Sequence, residues 1–235
     1  MNSRILTSAV LLSLILSPSL VPNVARAAGW AEIDSPTSRT LTAVDAYSDT
    51  IIAVGYDGTV AWSDDGGDTW SDGDSNSGVD LYGVAVINAD DAVAVGADGT
   101  VIATDDGGNT WDDASLSGLS ATEETYAVRA ISMGSSTVGF AAGENGLLLK
   151  TTNGGSSWSQ VTDPSGDATD YNAVYAASAT TAWIAGDGGV IYKTTNGGTT
   201  AIGAGATLTV AGDAWNGYMN SIGGAGNLVK SGTGT

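Results

Sequence analysis

The sequence contains no cysteine and no histidine. The first absence removes disulfides, thiol nucleophiles and cysteine-based metal sites, so any folded domain is held by packing and hydrogen bonds alone. The second removes imidazole acid–base catalysis and a common metal ligand. Cations are almost as scarce: 7 Lys and Arg stand against 26 Asp and Glu, for a formal net charge of −19. Beyond residue 27 only Arg39, Arg129, Lys150, Lys193 and Lys230 remain, so no basic patch is available to nucleic acid or an anionic membrane. Salt relieves the self-repulsion of such a chain, because the Debye length shrinks to about 3 Å at 1 M. The acidity and the lack of lysine point to a protein adapted to high salt.

Long apolar runs are confined to the N-terminus. Met1 to Arg4 is a short basic start, residues 5–16 are largely apolar, and Ala25-Arg26-Ala27 offers a small-x-small cleavage pattern after Pro18 and Pro22. Residues 1–27 are therefore expected to be a secretory signal peptide, leaving a domain at 28–235. The run is shorter than the roughly 20 residues needed to span a bilayer. The expected location is extracellular or at the cell surface, with no membrane span in the mature form.

Glycine is abundant at 34 residues, and much of it falls in a motif that returns. Ser63-Asp64-Asp65-Gly66-Gly67-Asp68-Thr69-Trp70 recurs as Thr104-Asp105-Asp106-Gly107-Gly108-Asn109-Thr110-Trp111 and as Thr151-Thr152-Asn153-Gly154-Gly155-Ser156-Ser157-Trp158. A fourth copy from Thr194 to Thr200 carries Asn196 but has Ala201 where the tryptophan would stand. Around each copy the events repeat: an apolar run, a polar turn, a second run ending in glycine, a tight turn, a third run, then the motif. Tyr56-Asp57-Gly58, Ala97-Asp98-Gly99, Glu144-Asn145-Gly146 and Asp187-Gly188-Gly189 are those tight turns. Their Asp-Gly and Asn-Gly pairs suit hairpins whose two central residues take positive φ. Four short antiparallel strands per unit of about 42 residues is the pattern of a propeller blade.

Successive motifs start 41, 47 and 43 residues apart. A degraded fifth copy opens at Ser231, after Lys230, which stands where Lys150 and Lys193 stand. Its missing tryptophan strand is supplied by Gly29-Trp30-Ala31-Glu32-Ile33 at the other end of the chain. The expected fold is all-β: a five-bladed β-propeller of four-stranded antiparallel blades, closed by the N-terminal strand, with no exposed sheet edge at the seam.

The motif resembles the Asp-box, or bacterial neuraminidase repeat, and the chain is similar to photosystem II assembly-factor-like propellers of the WD40-YVTN-BNR-like kind. That resemblance implies a structural turn between third and fourth strands. Asp65, Asp106, Asn153 and Asn196 would fold back on the turn amides, and Trp70, Trp111 and Trp158 would pack between blades. It implies little about function.

Sialidases share this motif, but clamping a sialic acid carboxylate takes three arginines. Only Arg39 and Arg129 stand beyond the leader, so that activity is excluded. Five-bladed glycosidases need paired carboxylates near the axis. Asp45 lies on an inner strand, at the position read as that of Arg129 and Tyr175 in other blades, and Glu144 and Asp187 lie at tight turns. A polar channel wall accounts for Asp45, Arg129 and Tyr175 equally well. Asp72, Asp74, Asn76 and Asp80 have the spacing of oxygen ligands in a calcium loop, although Gly78 and Gly83 depart from its usual pattern. A solvated acidic loop explains the same residues, so the cofactor reading is none, or Ca2+. The expectation is an exported, non-catalytic binding or scaffold module for a protein or glycan at the cell surface. The alternative is a carbohydrate-binding or glycoside-hydrolase-type propeller. Candidate binding residues are Tyr56, Asp57, Asp98, Glu144 and Asp187 on the face opposite the Asp-boxes, with Asp45, Arg129 and Tyr175 along the channel.

Overall fold

A computed structural model describes Gly29, residues 31–198, and the backbone of two strands at 207–211 and 227–231. The repeat at the sequence level becomes a series of antiparallel sheets. The first holds β1 (Leu41–Tyr47), β2 (Thr50–Gly55), β3 (Val60–Ser63) and β4 (Ser71–Gly73), in that order. The second holds β5 (Leu81–Val86), β6 (Ala92–Gly96), β7 (Val101–Thr104) and β8 (Asp112–Asp113). In the third, β9 (Ser115–Ser117) is added in parallel outside β10 (Val128–Met133), β11 (Gly139–Gly143), β12 (Leu148–Thr151) and β13 (Ser157–Gln160). The fourth contains β14 (Tyr171–Ala176), β15 (Ala182–Gly186) and β16 (Ile191–Thr194). The inner strands β1, β5, β10 and β14 lie side by side, so the fold is all-β with blades of the propeller type.

The second strands explain the core. β6 and β11 are buried at every position and β2 at nearly every one. Packing on both faces is why these strands read as continuous apolar runs such as Ala92-Val93-Ala94-Val95 instead of alternating. The hairpins that follow them have the expected geometry. Asp57 and Gly58 take φ of 55° and 71°, Asn145 and Gly146 take 51° and 76°, and Thr59 N–H closes the first turn on the Tyr56 carbonyl at 3.2 Å. The glycine before each turn is there for close approach: a Cβ on Gly55 would lie 2.0 Å from the Thr40 carbonyl oxygen.

At the other end of the blades stands the Asp-box turn. In the first copy the buried Ser63 hydroxyl accepts the Gly67 N–H at 2.9 Å and donates to Asp65 at 2.8 Å. The Asp65 carboxylate then accepts the Thr69 N–H at 2.9 Å and its hydroxyl at 2.6 Å. The Trp70 indole N–H returns to the Gly67 carbonyl at 3.1 Å. Thr104, Asp106, Gly108, Thr110 and Trp111 repeat every bond. The third copy shows why Asn serves as well. The Ser157 N–H still bonds the Asn153 side-chain oxygen at 3.0 Å, but the Asn153 amide now donates to the Ser157 hydroxyl at 2.9 Å.

This turn throws its tryptophan across the seam between blades. Trp111, 3% exposed, clusters with Ile52, Val54 and Val60 of the first blade and with Ala94 and Ile102 of its own. Trp158, 1% exposed, clusters in the same way with Val93, Val95 and Val101 of the second blade and with Ala141 and Leu149 of its own. Trp70 is only partly buried.

The expected fifth blade is left open by these residues. β17 (Thr207–Ala211) and β18 (Asn227–Ser231) pair in parallel, unlike the antiparallel strands expected of a blade. Trp30 lies outside the described residues, and residues 31–33 form no strand. Leu41, Val44 and Tyr47 on the first blade and Tyr175 and Ile191 on the fourth are exposed by 41% to 72%. Phe/Trp truncation in a packed core costs about 3–5 kcal/mol. Trp111→Ala and Trp158→Ala are therefore expected to lower stability by about that amount in denaturant melts, and Trp70→Ala by clearly less. Equal losses at all three positions would show that the seams do not set the tryptophans' contribution.

Candidate functional site

Each inner strand carries one irregularity in the same place. The pairing of β1 with β2 shifts between Leu41 and Ala43, β5 with β6 between Leu81 and Gly83, β10 with β11 between Val128 and Ala130, and β14 with β15 between Tyr171 and Ala173. Such a bulge leaves one residue unpaired and re-aims its side chain. The four bulge residues are Thr42, Tyr82, Arg129 and Asn172. They lie at the end of the blades where the tight second-to-third-strand turns sit, opposite the Asp-boxes.

Around Arg129 these turns converge. Its Nη2 contacts Glu144 at 2.9 Å and Asp170 at 3.0 Å, and its Nη1 donates to the Asn172 side-chain oxygen at 2.8 Å. Asn172 in turn donates to Asp187 at 2.8 Å. Two of the carboxylates are also fixed by backbone: Glu144 accepts the Ala127 N–H at 3.2 Å, and Asp170 accepts the Asn145 N–H at 2.9 Å. In the first blade's turn Asp80 acts as Asp170 does, accepting the Asp57 N–H at 3.0 Å. Partial burial works against the charge on Arg129, but the Glu144 hydrogen bond and the nearby Asp170 carboxylate outweigh it and raise its pKa. Burial, followed by the field of Asp80, Tyr56, Glu144 and Asp98, pushes the Tyr82 hydroxyl upward too.

Several of the residues anticipated from sequence therefore belong to one polar surface. Arg129, Glu144 and Asp187 are joined through hydrogen bonds, and the charges of Tyr56, Asp98 and Glu144 act on Tyr82. Asp57 pairs with Arg39 at its margin. Tyr82, Asp170 and Asn172, which were missed, complete the surface with Asp80, which was anticipated only as a metal ligand. Tyr82 and Asn172 are the second residues of their inner runs, which only the strand register reveals as bulges, and Asp80 and Asp170 each precede such a run.

Two anticipated residues stand apart. Asp45 pairs with Ile52, as Ser132 pairs with Phe140 and Tyr175 with Trp183, so Asp45 corresponds to Tyr175 but not to Arg129. Arg129 stands three residues before Ser132, at the bulge, and corresponds to Thr42. Asp45 accepts the Val86 N–H of the next blade at 2.8 Å, just as Ser132 accepts the Ala176 N–H at 3.0 Å. Its carboxylate ties neighbouring inner strands together. Tyr175 is 64% exposed and stacks on Trp183 at 6.1 Å.

The anticipated calcium ligands do not converge. Asp74 caps its own turn by accepting the Asn76 N–H at 3.0 Å, while Asp80 is turned to Asp57. Among the described residues no group of three or more Asp or Glu side chains could hold a metal ion. Nor is any helix among them long and apolar enough to cross a membrane. The expected signal peptide lies outside the described residues.

With this geometry in place, residues 74–225 match the family described as photosynthesis system II assembly factor YCF48. The chain belongs to that family. No curated protein matches the sequence. A structure of YCF48 bound to a D1 peptide is 28% identical over 51% of this chain and 38% of its own, with a TM-score of 0.44. The chain thus spans well under half the length of that relative. The computationally designed Ika4 protein aligns at a TM-score of 0.56 with 15% identity, over 72% of this chain and all of its own. An ancestral GH74 enzyme aligns at 0.52 with 20% identity, over 72% of this chain and 25% of the enzyme. At such identities these last two likenesses show the fold alone.

The Asp-box face carries its own pH dependence. The Thr69 side-chain and backbone hydrogen bonds and the Ser63 hydroxyl hold Asp65 down at about 2, against an ordinary 3.8. In Asp106 partial burial opposes the shift, but the bonds from Thr110 and Thr104 prevail and bring it to about 2 as well. A carboxylate depressed in the folded state stabilises fully above its unfolded pKa, and that contribution is lost as pH falls through the folded one. Melting temperature is accordingly expected to drop from about pH 4 to about pH 2, and less steeply in an Asp65→Asn/Asp106→Asn variant. Parallel acid profiles would contradict this assignment.

Proposed function

We propose that the protein is a non-catalytic binding module that holds a polypeptide partner on the face bearing the second-to-third-strand turns. The observation that carries this reading is the network centred on Arg129. A rigid blade scaffold presents an arginine, several carboxylates and the exposed Tyr56 together on the ends of turns, where recognition sites commonly lie. Arginine and tyrosine are also the side chains that most often dominate protein–protein affinity. Membership of an assembly-factor family supports the same reading. Export to the cell surface and adaptation to high salt are included in the proposal, motivated by the N-terminal leader pattern and by the net charge of −19.

The carboxylates most firmly held by hydrogen bonds are not suited to hydrolysis. A glycosidase needs a carboxylic acid held protonated near neutral pH. Asp65, Asp106, Glu123 and Asp167 are all held below ordinary carboxylate values, and Glu144 is engaged by a guanidinium.

The two faces can be separated experimentally. A partner captured from the native extracellular fraction at high salt would be titrated against Tyr56→Ala, Glu144→Ala and Asp187→Ala, and against Asp68→Ala and Asn109→Ala on the Asp-box face. The first set is expected to weaken binding by about fivefold or more, the range of an interface residue worth over 1 kcal/mol, and the second set to leave it unchanged. Loss confined to the second set would overturn the proposal.

A further inference from the structure

Asparagine followed by glycine is open to spontaneous deamidation, because no side chain on the glycine hinders attack of its backbone nitrogen on the asparagine amide. Among the described residues three such pairs occur: Asn145-Gly146, Asn153-Gly154 and Asn196-Gly197. A fourth pair, Asn216-Gly217, lies outside them. In all three the attacking nitrogen is occupied, since its N–H donates to a carbonyl. Gly146 bonds Thr169 at 2.7 Å, Gly154 bonds Thr137 at 2.9 Å and Gly197 bonds Thr180 at 2.8 Å. Each must open locally before it can react.

The side chains differ. Asn153 and Asn196 belong to Asp-box turns. The Asn153 oxygen accepts the Thr151 hydroxyl at 2.9 Å and the Ser157 N–H at 3.0 Å, and its amide donates to the Ser157 hydroxyl at 2.9 Å. The Asn196 oxygen accepts the Thr194 hydroxyl at 2.9 Å. Asn145 stands instead at the tip of the third blade's tight turn, exposed to solvent. Among the described residues its backbone N–H is engaged, by Asp170 at 2.9 Å, but its side chain makes no hydrogen bond. Thr169, which occupies the Gly146 amide, belongs to a loop at 161–170 that contains no strand. Asp163 ties that loop down, accepting the Ser165 N–H at 2.9 Å and hydroxyl at 2.6 Å and the Tyr171 hydroxyl. The same carboxylate packs on Gly146, where an added Cβ would lie 2.5 Å from it.

We infer that Asn145 is a site of spontaneous deamidation, gated by the opening of the 161–170 loop away from the Gly146 amide. The Gly146 nitrogen gives up its proton and bonds the Asn145 Cγ, the side-chain nitrogen leaves as ammonia, and a succinimide ring joins the two residues. One water then opens the ring at either carbonyl. The net exchange is one water in and one ammonia out, with nothing oxidised or reduced. Opening at one carbonyl leaves aspartate, to which the turn is already suited: Asp57 and Asp98 hold this place in the first two blades at φ of 55° and 51°, against 51° for Asn145. Opening at the other leaves isoaspartate. That product inserts a methylene into the main chain and displaces the 2.9 Å bond from the Leu147 N–H to the Glu144 carbonyl. Either product adds a negative charge next to Glu144, the partner of Arg129. The inference concerns the covalent chain and stands whether or not this face binds a partner.

The full chain would be incubated in mildly alkaline buffer, digested at intervals and mapped by mass spectrometry, with isoaspartate distinguished by chromatographic retention. In the folded chain Asn145 is expected to convert about tenfold or more faster than Asn153, the effect of side-chain bonds that must break at Asn153 alone. In denaturant the two rates are expected to converge. Asp163→Ala is expected to loosen the loop and speed conversion at Asn145 by about threefold or more, with Asn153 unchanged. Four results would each overturn the inference. They are conversion of Asn153 as fast as Asn145 in the folded chain, a difference that persists in denaturant, a folded chain whose Asn145 stays intact while the denatured chain converts, and an Asn145 rate indifferent to Asp163→Ala. All but the last use the unmodified protein, so they decide the matter even where the variant does not fold.

Discussion

The hydrogen-bonded Asp-box turn is the constraint on which the described fold depends. A serine or threonine hydroxyl at the end of each third strand takes a glycine N–H and orders an Asp or Asn, which in the first three copies in turn gathers the amide of the Ser or Thr four residues on. Two consecutive glycines at positive φ make this curl possible, and in the third copy a Cβ on Gly155 would lie 2.1 Å from Val93 of the neighbouring blade. The turn is thus both a local closure and a contact between blades. Its product is a fixed exit direction for the tryptophan, whose indole N–H is satisfied within the same turn. A large apolar ring can then be buried at the seam without stranding its one polar atom. In a chain with no disulfide and a large surplus of negative charge, that burial is the principal cohesion between blades.

The opposite end of the blades uses the same repetition differently. The inner-strand bulge recurs in all four sheets, but the residue it presents changes from Thr42 to Tyr82, Arg129 and Asn172. A constant backbone device therefore displays variable chemistry, in the way rigid scaffolds usually carry recognition. Arg129 is drawn into this surface by carboxylates whose own positions are set by backbone amides of the adjacent turns. The ion pairs are half-exposed, with side-chain accessibilities of 29% to 35%, so they contribute modestly to stability. Their weight lies in ordering that charged surface.

Much of this was legible in the sequence because it is local. The four motif copies, the Asp-Gly and Asn-Gly hairpins and the continuously apolar second strands each announce themselves within a dozen residues. Topology placed Glu144 and Asp187 on one face, but Arg129 was expected along the channel, and its bonds to Glu144 and Asn172 came only with the structure. What failed to show was non-local. Register and bulge are properties of pairing between strands, so the sequence alone did not fix which residues of the inner runs correspond: Asp45 was equated with Arg129 instead of Ser132, and Tyr82 and Asn172 were missed. Asp80 read as a calcium-loop ligand and Asp170 as an ordinary loop acid, although each receives the N–H of a turn residue, 23 and 25 positions earlier in the chain. The loss of tryptophan at Ala201 was visible at once, whereas the cavity lined by Phe140, Leu148, Ile184 and Tyr192 emerges only from the paired strands.

Native-state hydrogen exchange tests the central claim, that the box-delivered tryptophans hold the blades together. The indole N–H groups of Trp111 and Trp158 and the amides of Gly108 and Gly155 are predicted to exchange only through global unfolding. The Gly198 amide and those of β16, beside the box that carries no tryptophan, are predicted to exchange faster through local opening. Uniform protection across all four box turns would contradict the account.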